Sequence, residues 1–217
     1  ALRPDKEYPF NEGRIASNKG LDIATREYDA HFEETHIARS TALRSQLKER
    51  GVYLCGPMAR YSLNHERLSD MAKQAARDAG LGSECRNPYQ SIVVRAVEVL
   101  YACDEAIRII EEYQEPDAPA VSAPVASGMG YGATEAPRGL LYHRYRLEAD
   151  GTIADARIVP PTSQNQGSIE DDLKDFIPQW LDLSDDDLKW RCEQTVRNYD
   201  PCISCAAHFL RLELDRG

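Results

Sequence analysis

Apolar residues recur at steps of three and four over residues 66–79, where Leu68, Met71, Ala72, Ala75, Ala76 and Ala79 share one side of a predicted helix that Gly80 ends. A longer run over residues 89–113 places Ile92, Ala96, Val99, Leu100, Cys103, Ile107 and Ile110 on one broad face, the pattern of a long helix with a buried side. Cys103 lies inside that stripe and reads as a small buried apolar residue without a chemical role. Sparser periodicity over residues 33–50, carried by Ile37, Leu43 and Leu47 and stopped by Gly51, predicts another helix. Two more are expected over residues 168–181 and 184–199. Ser184, Asp185, Asp186 and Asp187 suit the free amides and positive end of a helix start.

Elsewhere the period changes. Short alternating runs over residues 140–147 and 152–159 flank Ala149, Asp150 and Gly151, which predicts a β-hairpin. Residues 114–127, with Pro116, Pro119 and Pro124, read as a connector, and Gly128, Gly130 and Gly132 as tight turns. The fold class expected is mainly α within α+β: one domain over residues 1–217, with long helices in a bundle and a small hairpin element beside the C-terminal end.

Charge and cysteine usage narrow the function classes. The 26 basic and 36 acidic residues leave a net charge of −10, which opposes generic binding to nucleic acid or anionic lipid. No apolar run approaches the roughly 18 residues that a membrane helix needs. Residues 1–13 carry Arg3, Asp5, Lys6, Glu7 and Glu12 where a secretory leader would be apolar, so a cytoplasmic location is expected. Cys55, Cys85, Cys103, Cys192, Cys202 and Cys205 are too sparse and uneven for a disulfide scaffold, and reduced thiols are expected. The chain opens without an initiator methionine and is expected to be a piece of a longer subunit.

The densest chemistry lies in the sequence Asp200, Pro201, Cys202, Ile203, Ser204, Cys205, Ala206, Ala207, His208. A two-residue gap lets the sulfurs of Cys202 and Cys205 turn onto one metal, and imidazole is a further ligand of borderline softness. Taken alone, the pair divides among a half zinc site, a thiol redox couple and coincidence. A zinc site needs four ligands and the chain has no second CxxC. A thioredoxin-like couple follows a strand and opens a helix, whereas this pair follows a predicted helix. The missing ligands must come from elsewhere.

These nine residues resemble the DPCxxCxxH signature of nickel-iron hydrogenase large subunits. Glu135, Ala136, Pro137, Arg138 and Gly139, with His143, are similar to that family's APRG motif, and Pro161, Thr162, Ser163, Gln164 and Asn165 to its PT segment, in the family's order. Tyr8 to Gly13, the turn from Gly56 to Arg60 and the residues around Arg95 and Glu98 resemble the middle of the soluble, cytoplasmic, NAD(P)-linked members. The likeness spans essentially the whole chain. What it does not reach is the family's N-terminal half, with the other CxxC, a metal-binding glutamate and a proton-relay glutamate.

The resemblance implies reversible oxidation of dihydrogen to protons and electrons at a nickel-iron centre carrying CO and cyanide ligands. It implies that Cys202 is a terminal nickel thiolate and that Cys205 bridges nickel and iron, roles that suit soft sulfur donors. His208 would bind a neighbouring magnesium with the backbone carbonyl of Ile158. Arg138 and Thr162 would donate hydrogen bonds to the cyanides, Pro137 and Pro161 would shape a dry wall, and Asp200 would lie over the open metal position beside Arg138. His143 reads as a hydrogen-bonded structural histidine.

The partners implied are the N-terminal half of the large subunit, an iron-sulfur small subunit, NAD(P)-reductase (diaphorase) subunits and a maturation protease. That protease would remove residues 209–217 after His208. Iron-sulfur clusters belong to the partner, since this chain lacks their cysteine-rich runs. The competing readings are a non-catalytic hydrogenase-related scaffold, an unassembled precursor, and a zinc or thiol-redox module. Joint retention of Cys202, Cys205, His208, Arg138 and Thr162 argues against the scaffold.

Overall fold

The computed structural model describes residues 1–38, 40–202 and 213; Cys205, His208 and the rest of the 209–217 segment lie outside the described residues. From the start of the chain, β1 (Leu2–Arg3), β2 (Arg14–Ala16) and β3 (Asp22–Ile23) form a small antiparallel sheet. A one-turn helix, α1 (Tyr28–His31), leads into a hairpin of β4 (Phe32–Thr35) and β5 (Arg44–Leu47). Helices α2 (Pro57–Asn64), α3 (Asp70–Asp78) and α4 (Ser91–Glu112) follow. A three-stranded antiparallel sheet, β6 (Gly128–Ala136), β7 (Gly139–Leu147) and β8 (Ile153–Val159), then hands the chain to α5 (Pro161–Phe176) and α6 (Asp185–Arg197). The class is α+β, and no helix among the described residues is long and apolar enough to cross a membrane.

Two apolar clusters hold these elements. Met58 and Tyr61 of α2, Ala72 and Ala76 of α3, and Val94, Val97 and Tyr101 of α4 bury one another together with Tyr8 and Leu68. The second joins Leu2, Ile15 and Ile23 of the first sheet to Tyr28, Phe32, Leu140, Tyr142 and Val159. Its centre is an aromatic stack, with the Tyr28 ring 4.2 Å from Phe32 and 4.0 Å from Tyr142.

The helices expected over residues 66–79, 89–113 and 184–199 fold close to expectation, whereas the one expected over 168–181 starts seven residues earlier, at Pro161, and ends at Phe176. Ser184 caps α6 by accepting from the Asp187 amide at 3.2 Å. Asp150 and Gly151 turn the chain between β7 and β8, with the Asp150 carboxylate accepting from the Thr152 amide. Residues 113–127 contain no helix or strand.

Three expectations are corrected. Residues 33–50 are not a helix but the β4–β5 hairpin. Ile37, Leu43 and Leu47 alone are a thin helical signal for eighteen residues, and strand pairing seats Phe32 on Tyr28 and buries Ser45 in hydrogen-bond reach of Tyr53. Gly128, Gly130 and Gly132 are not tight turns; they lie in β6, paired across to Leu147, Tyr145 and His143. The broad face read on the long helix is not its buried side. Ser91, Val94, Val97 and Tyr101 are buried, whereas Ile92, Val99, Ile107 and Ile110 stand 62%, 63%, 57% and 74% exposed, and Cys103 is exposed with them.

Candidate metal centre

Three separated segments meet behind α4. The first is the tight turn between β6 and β7, which carries Pro137 and Arg138. It can close only because glycine stands at two places. Gly139 has φ +138° and a Cβ there would sit 2.6 Å from the Cys55 sulfur and 2.8 Å from the Gly56 amide nitrogen. Gly56 has φ +101° and its Cβ would sit 2.5 Å from the Arg138 carbonyl oxygen. The turn is thus pressed backbone to backbone against the start of α2.

The second segment is the first turn of α5. Pro160 and Pro161 start the helix, and the polar side chains that follow are buried because each serves a neighbouring strand or turn. Gln164 donates to the carbonyls of Leu140 and Val159 and accepts from the Tyr53 hydroxyl. Asn165 accepts from the Cys55 amide at 2.8 Å and donates to the Arg138 carbonyl at 3.5 Å. Thr162, 5% exposed, accepts from the Cys202 amide at 3.3 Å.

The third segment is the chain after α6. Asp200 takes φ +49°, a left-handed turn that aspartate tolerates, and its amide donates to the Arg197 carbonyl at 2.9 Å. Arg138 reaches across to it. Its Nε donates to the Asp200 carbonyl at 2.5 Å, and the guanidinium lies 3.3–3.4 Å from the Asp200 carboxylate. Arg95 of α4 flanks the same carboxylate at 3.9 Å. A cleft of about 520 Å³ opens beside these groups, bounded by Phe10, Arg95, Val99, Pro137 and Asp200.

Of the site residues expected from sequence, the structure therefore brings together Arg138, Asp200, Thr162 and Cys202, with Pro137 and Pro161 at the turn and helix start that carry them. Ile158 lies on β8 opposite His143, half exposed; its expected companion His208, like Cys205, is outside the described residues. His143 lies 3.1 Å from the Tyr145 hydroxyl, as a structural histidine would. The remaining buried thiols lie apart from this convergence and are held protonated by their surroundings. Burial, and then the charge of Glu135, pushes the Cys55 thiol up to about 12, and burial raises Cys85 and Cys192 as well. Among the described residues no cluster of three His, Cys, Asp or Glu side chains could hold a metal ion.

Arg60, Glu98, Glu135 and Asn165 stand in segments that the resemblance marked, but their role in holding the Arg138 turn was not read from the sequence. Arg60 is 5% exposed and carries an ion pair to each glutamate. Beyond that resemblance the chain offered only an arginine in the first turn of a helix opened by Gly56 and Pro57, where an exposed charge is ordinary.

Helices packed on small antiparallel sheets gather a cysteine, an arginine, a threonine and an aspartate beside a proline-walled turn, and comparison with known proteins says to which family such a chain belongs. The family model of nickel-dependent hydrogenases matches residues 52–208, well over half of the chain, and the chain belongs to that family. Sulfhydrogenase 1 subunit alpha of Pyrococcus furiosus is 30% identical over 91% of this chain and 46% of its own length. The NAD-reducing hydrogenase HoxS subunit beta of Cupriavidus necator is 26% identical over 95% of this chain and 46% of its own. A solved NAD+-reducing NiFe hydrogenase in the H2-reduced state shares the fold, with a TM-score of 0.77 at 23% identity, covering 95% of this chain and 49% of that one. The chain spans about half the length of the curated relatives it matches.

Proposed function

We propose that the chain is the C-terminal portion of the catalytic large subunit of a nickel-iron hydrogenase and takes part in the reversible conversion of dihydrogen into protons and electrons. The observation that carries this reading is the convergence of Arg138, Asp200, Thr162 and Cys202 from three segments of the chain. The donor set fits such a centre. A soft sulfur suits nickel and iron, and a guanidinium and a hydroxyl suit small anionic ligands on the metal. The Thr162 hydroxyl spends a lone pair on the Cys202 amide, so its own proton remains for such a ligand.

In this reading Cys202 and Cys205 are thiolate ligands, and His208 with the Ile158 carbonyl holds magnesium. Arg138 and Thr162 would donate to cyanide, Pro137 and Pro161 would exclude water, and Asp200 would offer an anionic oxygen beside the metals. When bound, the nickel-iron centre supplies the Lewis acidity and redox change that make dihydrogen acidic. The other thiolates come from the N-terminal half of the subunit, which covers the apolar stripe of α4 and completes a long-helix bundle. An iron-sulfur small subunit takes the electrons and NAD(P)-reductase subunits accept them in the cytoplasm. A maturation protease cuts after His208.

The test is metal analysis and infrared spectroscopy on the chain produced with its native neighbours. Stoichiometric nickel with CO and cyanide stretching bands is expected, with both lost in Cys202→Ser. A folded complex that holds zinc, or no metal, sinks the hydrogenase reading in favour of a zinc module or a scaffold.

A further inference from the structure

Every carbonyl of the Arg138 turn is held by a side chain from another element. Arg60 Nη1 donates to the Ala136 carbonyl at 2.6 Å and Nη2 to the Pro137 carbonyl at 2.9 Å, while Asn165 takes the Arg138 carbonyl. Pro137 has no amide hydrogen, so the turn cannot be pinned through that nitrogen. The other three N–H groups of Arg60 are spoken for as well. Nε and Nη2 grip Glu98 bidentately at 2.8 Å each, and Nη1 donates to Glu135 at 3.0 Å. All five donors of the guanidinium are used in one rigid fork.

The two carboxylates are themselves fixed. The Tyr8 hydroxyl donates to Glu98 at 2.6 Å and the Leu2 amide to Glu135 at 2.7 Å. Burial, then the charge of Glu98, lifts Tyr8 well above the ordinary tyrosine range. Burial alone would lower Arg60, but Glu98 and Glu135 outweigh it and hold the guanidinium charged. A buried ionic cluster is a poor source of stability, because an apolar filling of equal volume does as well. What an apolar filling cannot do is hold two consecutive carbonyls.

We infer that Arg60 is a positioning residue of the Arg138–Asp200 site: its fork, anchored on Glu98 and Glu135, sets the backbone from which Arg138 reaches the metal ligands. This rests on the metal-centre reading given above. Lysine keeps the charge but, as a single point with three donors, cannot span two carboxylates and two carbonyls at once.

The experiment compares the assembled hydrogenase complex carrying Arg60→Lys with one carrying Leu68→Ala, which loosens the same core without touching the turn. At normal nickel content, Arg60→Lys is expected to displace the cyanide stretching bands and slow dihydrogen oxidation about 10–100-fold. Leu68→Ala should lower the unfolding temperature and leave the bands in place. Unchanged bands in Arg60→Lys, or an equal displacement in Leu68→Ala, overturn the inference. If Arg60→Lys does not assemble, amide exchange on the uncomplexed full subunit decides: acceleration confined to residues 136–141 supports positioning, and uniform acceleration refutes it. A wild-type complex without nickel and cyanide bands refutes the metal-centre reading instead, and leaves the exchange comparison standing.

Discussion

Arg138 divides its guanidinium between the backbone carbonyl and the carboxylate of Asp200, and the two side chains are 39% and 46% exposed in this chain. A pair so open to water contributes little to stability, so on the function proposed above its geometry matters for what it would present to the metal ligands. Arg138→Lys should therefore leave nickel content and unfolding temperature close to normal. It should lower hydrogenase turnover roughly 10–100-fold, since lysine cannot hold a carbonyl and a small anion in one plane. Elemental analysis, calorimetry and a turnover assay on the same preparation check this; loss of nickel in parallel with activity would make Arg138 an assembly residue instead.

Between elements, the stack of Tyr28, Phe32 and Tyr142 joins α1, β4 and β7. Burial raises Tyr28 from an ordinary 10.0 to about 12, and burial followed by the charge of Asp29 raises Tyr142 to about 12. Since the folded state holds these protons after the unfolded state has released them, stability is full below the ordinary value and falls as pH rises through it toward about 12. The slope is about 1.4 kcal/mol per pH unit for Tyr28. Tyr28→Phe should flatten that alkaline decline by one proton, measured as urea midpoints at about pH 8 and about pH 11. An unaltered slope would mean that Tyr28 ionises freely in the folded chain.

The same elements show what the sequence made legible. Helices α3, α4 and α6 and the β7–β8 turn are local patterns and were readable as such. The β4–β5 hairpin was not, because Phe32 is buried in a core shared with Leu140, Tyr142 and Val159, far along the chain, and propensity yields to such burial. Strand β6 hides behind glycines that also signal turns. The convergence of Arg138, Thr162, Asp200 and Cys202 could be anticipated only from motif resemblance. The grip of Arg60 could not be anticipated at all, since its glutamates lie 38 and 75 residues away.

For the molecule as a whole, α4 turns an apolar stripe outward, the face that the proposed N-terminal half of the subunit would cover. Ile92, Val99, Ile107 and Ile110 form a continuous row, larger than isolated exposed residues would account for. Ile107→Glu should make the isolated chain more soluble and, on the reading proposed above, prevent its assembly with an N-terminal half of the subunit. Sedimentation of the chain alone and co-purification with its neighbours read the two effects. Normal co-purification of the variant would show that the seam lies elsewhere.

The close approach of Gly56 and Gly139 bears on how variants of this chain would sort in a library. Both positions are closed by backbone space and positive φ, so every L side chain there meets the same barrier, whatever its chemistry. A screen that reports only solubility and one that reports hydrogen consumption would both deplete substitutions at 56 and 139, whereas those at Cys202 would vanish from the second screen and survive the first. Comparing the two lists separates the positions that shape the protein from those that make it work.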